Sequence, residues 1–231
     1  TLNLAKNAYV SYFYIYNYAG GSNTGDVTVG NINVGDISLN VGENATAYIS
    51  ISNSAYVAGI GDANAGNINV GDISVILNGT FAWASIFLLN RAYALLNDAT
   101  AGDIIIGDIT INANVSMTCT FYFQPIISAP APGPGTSTAG NIIVGNITVS
   151  DVAGSWNNLW NVTSWFLPSI IAENVGEVWL GNVDYSGYKS WSAQIDLSAF
   201  HGAPIIKGTA NPWLIGDFIV DTPEANEIYL G

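Results

Sequence analysis

Asp36, Asp72 and Asp108 stand 36 residues apart, each directly after a glycine, and Asn146 and Asn182 continue the series. Asn31, Asn67, Asp103, Asn141 and Glu177 hold a second such position, and Asp62 and Asp98 a third. If repeats stack in register, equivalent side chains lie roughly 5 Å apart. Carboxylates that close repel unless they are protonated, staggered or bridged by a hard cation, and Ca²⁺ prefers such oxygen ligands. Calcium held by Asp36, Asp72 and Asp108 is one chemistry this spacing offers. The other is structural, because Asp and Asn after glycine make Asx turns and stacked asparagines form amide ladders. The structural reading is favoured.

Catalytic constellations are thin. The only histidine, His201, sits in FHGAP, and the only cysteine, Cys119, sits in the alternating stretch MTCTFYF. A lone cysteine in such a stretch behaves as a small hydrophobe. There is no GxSxG elbow, HExxH, phosphate loop or paired CxxC. A solenoid-type polysaccharide lyase or hydrolase would find acids here but little cationic help, so the chain does not read as an enzyme. Its basic side chains are Lys6, Arg91, Lys189 and Lys207, and its net charge is −13. A phosphate backbone requires clustered cations, which excludes nucleic acid and argues against anionic lipid. The most apolar run, Phe81 to Leu96, is broken by Asn90 and Arg91 and falls short of the roughly 18 residues of a membrane helix. Charged residues are only 9% of the chain, so hydration must come from elsewhere or surface must be covered by partners.

The elements that carry these residues repeat. A ten-residue phrase reads GNINVGDISL from Gly30, GNINVGDISV from Gly66, GDIIIGDITI from Gly102 and GNIIVGNITV from Gly140. GEVWLGNVDY follows from Gly176, and GDFIV from Gly216 is read as a last half-copy. The starts differ by 36, 36, 38, 36 and 40 residues. A fixed period of this size marks a module stacked on copies of itself. Within each phrase apolar and polar residues alternate, and the second glycine shifts the alternation, which reads as a bend or bulge. A longer, aromatic-rich strand follows each phrase: TAYISISNSAYV from Thr46, FAWASIFLL from Phe81, VSMTCTFYF from Val115 and NVTSWFL from Asn161.

The expected fold is all-β, a β-solenoid-like stack of about five 36-residue repeats. Ile32, Ile68, Ile104, Ile142 and Val178 would form one ladder, and Ile37, Ile73, Ile109, Ile147 and Val183 another. A β-sandwich or jelly roll of repeated hairpins buries the same residues and is the alternative. Residues 1–29 read as an assembly strand with a partial repeat, 30–215 as the repeat body and 216–231 as a C-terminal partial repeat. The proline-rich stretch 129–140 keeps the repeat in phase and reads as an insertion.

Several features point outward. In Ala8, Tyr9, Val10, Tyr12, Phe13, Tyr14, Ile15, Tyr16 and Tyr18 the first strand is apolar on both faces, so it needs cover on both. Incomplete repeats at the two ends would let one subunit complete the next, head to tail. Sequons at Asn44, Asn78, Asn114, Asn146 and Asn161 offer sites for N-linked glycans, which would supply the missing hydration. Asn146 lies inside the phrase and is the weakest of them. Thr1 in place of Met reads as a processed or trimmed form.

With its processed-looking start, the strand AYVSYFYIYNY, the sequons and an Asn/Gly/Ala/Ile-rich, low-charge composition, the chain resembles subunits of archaeal extracellular filaments, the group of threads and bundling pili. That resemblance implies a polymer held by strands inserted between neighbouring subunits. The expected function is a secreted structural subunit at the cell surface that polymerises with itself, by strand complementation or head-to-tail stacking. The alternative is a carbohydrate-binding or adhesin module. In that reading Trp156, Trp160, Trp165, Trp179, Trp191 and Trp213 serve as platforms for surface glycans, although core packing explains tryptophans equally well.

Overall fold

The computed structural model describes residues 1–8, 11–22, 24–114 and 119–151. Beyond these it describes 162–166, 168–174, 176, 178–181, 183–186, 191–193, 206–209, 214–215, 218–221 and 225–228. The chain is an all-β solenoid of about four turns with a period of roughly 37 residues, and the sandwich alternative falls away. Every strand pairing among the described residues is parallel, each strand lying on its own copy one coil further on.

One coil consists of four strands. In the first full coil these are a short strand Val27–Val29, a triplet strand Ile32–Val34, a middle strand Ile37–Val41 and a long strand Thr46–Val57. The next coil repeats them as Ala63–Ala65, Ile68–Val70, Ile73–Asn78 and Trp83–Ala94. The third uses Ala99–Ala101, Ile104–Ile106, Ile109–Asn114 and Cys119–Ser128. The second glycine of each phrase is therefore a corner between two sheets, the bend rather than the bulge. By turning the chain there, it keeps the apolar residues of both halves facing one core. Ile32, Ile68, Ile104 and Ile142 stack in register and are buried, as are Ile37, Ile73, Ile109 and Ile147. The proline-rich insertion leaves pairing intact, since Ser137–Ala139 continues directly on Ala99–Ala101.

The ends differ from the expected halves. Leu2–Leu4 lies under the middle strand and Ser11–Gly21 under the long strand, so the chain does open on the second half of a coil. At the other end, Leu214–Ile215 pairs with Trp179–Leu180, and Phe218–Asp221 with Val183–Ser186. GDFIV is therefore the second half of a phrase whose triplet strand precedes Gly216. The step from Trp179 to Leu214 is 35 residues, and the apparent 40-residue spacing disappears.

Candidate functional site: the glycine–Asx corners and the first-coil edge

The acidic ladder sits at the corners, and one oxygen each of Asp36, Asp72 and Asp108 is occupied. Asp36 Oδ1 accepts from the backbone N–H of Asp72 at 3.0 Å, Asp72 Oδ1 from that of Asp108 at 2.9 Å, and Asp108 Oδ1 from that of Asn146 at 2.7 Å. Asn31, Asn67 and Asp103 bond in the same way to Asn67, Asp103 and Asn141, at 2.7–2.9 Å. Asp26, Asp62 and Asp98 do so to Asp62, Asp98 and Thr136. Each side chain thus serves the next coil rather than its own turn. The donors are corner amides that the strand ladders leave unpaired. Asn does this as well as Asp, which explains why the two interchange along the series. Among the described residues, no three His, Cys, Asp or Glu side chains converge as a metal site would require.

The glycines follow from this arrangement. At Gly66, Gly71, Gly102, Gly107, Gly140, Gly145, Gly176 and Gly181 an added Cβ would come within 3.0 Å of the Asx oxygen rising from the coil below. Glycine is needed there for close approach, because none of these eight has a left-handed φ.

A second set of polar residues lies inside the core. Asn53 and Asn90 are 0% exposed, in the middle of long strands. Asn53 Nδ2 donates to the carbonyls of Gly30 at 3.0 Å and Gly66 at 3.1 Å, and Asn90 Nδ2 to those of Gly66 at 2.7 Å and Gly102 at 2.9 Å. Each amide bridges two consecutive coils and ties the long strand to the opposite corners. Asn17, one coil earlier, donates to Asn53 Oδ1 at 3.1 Å. These residues were missed in the sequence, yet the signal was present: each asparagine falls in the inward phase of an alternating strand. Ile127 takes the next place in register, and Asn90 Oδ1 is left buried without a partner.

The residues of the first strand divide by face. Tyr12, Tyr14, Tyr16 and Tyr18 point outward and are exposed, Tyr14 and Tyr16 by 66% and 67%. Phe13 and Ile15 lie in register with the buried Ile49 and Ile51 of the next coil. The outer face is thus uncovered, contrary to the need inferred from its apolarity, and its rings cover one another. Tyr12 stacks on Tyr48 at 5.2 Å and on Tyr14 at 5.7 Å, and Tyr16 on Tyr18 at 5.9 Å, all within 10° of parallel. Ala8 precedes the strand and packs against the core. Tyr9 and Val10 lie outside the described residues.

Of the sequons, Asn44 is exposed in a turn at φ 55° and donates through Nδ2 to Asn7 Oδ1 at 3.2 Å. Asn78 ends its strand half-buried, with Nδ2 bonded to Asn40 Oδ1. Asn114 ends the equivalent strand one coil on. Asn146 is exposed, with Nδ2 3.2 Å from Asp108 Oδ1. Asn161 lies outside the described residues, as do His201, Trp156, Trp160 and Trp213. Trp179 is exposed on its triplet strand. Cys119, Trp165 and Trp191 fall on described strands.

Among the described residues, Leu2–Leu4, Ser11–Gly21, Val27–Val29 and Ile32–Val34 each pair on one side only. Beside them an opening of 170 Å³, lined by Thr1, Leu2, Phe13, Val34, Ile37 and Leu39 among others, exposes the end of the core. Compared with models of known protein families, with characterised proteins and with solved structures, the chain matches none.

Proposed function

We propose that the chain is a secreted structural subunit that polymerises with itself into an extracellular surface filament, coil stacked on coil, head to tail. The observation that carries this reading is that every described strand pairs in parallel with its own copy one coil on, so that each coil is a template for the next. Natural proteins guard sheet edges against such pairing with lysines, prolines, bulges or a covering element. Here the edge strands contain no proline and no lysine, and the nearest cation, Lys6, is paired with Glu43 at 2.6 Å. Pairing of Ser11–Gly21 along its length with Thr46–Val57 of its own subunit favours stacking over a strand handed to a neighbour. N-linked glycans on the turns, Asn44 foremost, would hydrate the lateral surface.

Negative-stain electron microscopy of the purified full chain, with and without a Ca²⁺ chelator, tests the proposal. Uniform fibres in both samples are expected. Dispersed monomers in both would remove the filament reading and bring forward the carbohydrate-binding one. Fibres lost only on chelation would restore calcium at the aspartate corners.

A further inference from the structure

The outer face of the long-strand sheet holds its tyrosines in two different relations to the next coil. Tyr14, Tyr16 and Tyr18 stand in register with Ser50, Ser52 and Ser54. Tyr12 stands in register with Tyr48, and Tyr56 with Tyr93. These two pairs are stacked, their ring centres 5.2 and 5.0 Å apart and their planes within 12° of parallel. That separation is close to the 4.7–4.9 Å between neighbouring strands, so the ladder itself holds the rings together. Tyr48 with Trp83, and Trp83 with Tyr122, also link coils, but those rings are tilted by 54° and 46°. Tyr12 and Tyr56 are exposed, at 59% and 37%, and Tyr48 and Tyr93 are half-buried. The strands that carry Tyr56 and Tyr93 are paired on both sides, so this pair lies within the stack and away from its edges.

We infer that Tyr56 with Tyr93, and Tyr12 with Tyr48, are sites of oxidative modification, each pair closing a dityrosine bond between consecutive coils when a one-electron oxidant driven by hydrogen peroxide reaches the face. Each phenol gives up one electron and its hydroxyl proton. The unpaired electron spreads onto the two Cε atoms beside the oxygen, in orbitals perpendicular to the ring, and stacked rings aim those orbitals at each other. One Cε of each ring then joins the other. The proton leaving each bonded Cε moves to the ring's oxygen and restores the phenol. Two electrons and two protons are removed in all, and one hydrogen peroxide takes them up to become two waters. Coupling within a pair starts from contact and needs no encounter. Coupling between copies is opposed by a net charge of −13 on each. The chain has a single cysteine and therefore no internal disulfide. Links between residues 36 and 37 apart would restrain the unfolded chain as a disulfide does.

The test treats the dilute full chain with hydrogen peroxide and a peroxidase and follows dityrosine fluorescence. Mass spectrometry of the digested product maps the links, and circular dichroism checks the fold of each variant. Links Tyr56–Tyr93 and Tyr12–Tyr48 within one chain are expected, and the linked protein should unfold at higher urea than the untreated one. Tyr56→Phe keeps the ring and is expected to abolish the first link while sparing the second; Tyr16→Phe is expected to spare both. Links found only between chains, or mapped to Tyr14, Tyr16 or Tyr18, would overturn the inference. So would fluorescence undiminished in the double variant Tyr48→Phe and Tyr56→Phe, or a chain that stays unlinked while free tyrosine couples in the same mixture.

Discussion

At the residue scale, the recurrent glycine and the Asp or Asn after it are two halves of one contact made between different coils. Placing a methyl at Gly71 or Gly107 forces the oxygen of Asp36 or Asp72 away from the amide it serves. Overpacking of this kind costs about 1–3 kcal/mol. Gly71→Ala and Gly107→Ala should lower unfolding stability by at least that much, whereas Gly35→Ala should leave the monomer unchanged, as denaturant titration would report. Asp72→Asn keeps the accepting oxygen and removes one of a row of stacked charges, so it should unfold at or above the parent midpoint. Asp72→Leu should unfold well below it, by about 1–3 kcal/mol for the amide left unserved. The position that Asn44 holds at φ 55° is taken one coil on by Phe81, also at φ 55°. Asparagine tolerates that conformation and phenylalanine pays about 1–2 kcal/mol for it. Phe81→Asn should therefore raise stability by about 1 kcal/mol in the same titration. The spacing of the Asx residues was plain in the sequence. Their partner was not, because an oxygen 36 residues from its donor looks like a local turn until the coils are stacked.

At the element scale, each coil is held by parallel ladders and by a polar strut through its core. Asn53 and Asn90 satisfy the carbonyls of Gly30, Gly66 and Gly102 from the opposite wall. Replacing Asn53 by Leu fits the apolar neighbourhood but removes its bonds to both carbonyls. Gly66 O is left to Asn90 alone and Gly30 O to Asn17 at 3.5 Å, and Asn17 loses its acceptor. Each hydrogen bond lost costs about 0.5–1.5 kcal/mol. Asn53→Leu should accordingly be more destabilising than Ile51→Val, a difference readable in urea midpoints. One long strand was legible residue for residue, since TAYISISNSAYV is the strand Thr46–Val57, whereas the stretches read from Phe81 and Val115 stopped five residues short of Ala94 and Ser128. The two isoleucine ladders were legible too. The parallel direction could not be read, because parallel and antiparallel pairing bury the same alternate residues. The final phrase was misplaced for a related reason: its first half, ending in Trp213, Leu214 and Ile215, has lost the opening glycine that marked the others.

At the scale of the whole molecule, a solenoid is one-dimensional, and its ends decide whether it stays single. The described first coil ends in four half-paired strands and an opening to the core. Opposing this is a net charge of −13 on every copy, which repels the approach of a second. Screening shortens that repulsion from roughly 30 Å at 0.01 M salt to roughly 8 Å at 0.15 M. Fibre growth followed by light scattering should therefore quicken as salt rises over that range; slower growth in salt would instead point to a joint held by charge pairs. Head-to-tail stacking has one further geometric consequence. The coils of every subunit then lie across the fibre, and their strands repeat along its axis every 4.7–4.8 Å. X-ray diffraction from aligned fibres of the full chain tests this directly. A sharp meridional reflection at that spacing is the expected result, and a reflection off the meridian, or no fibres to align, would contradict it.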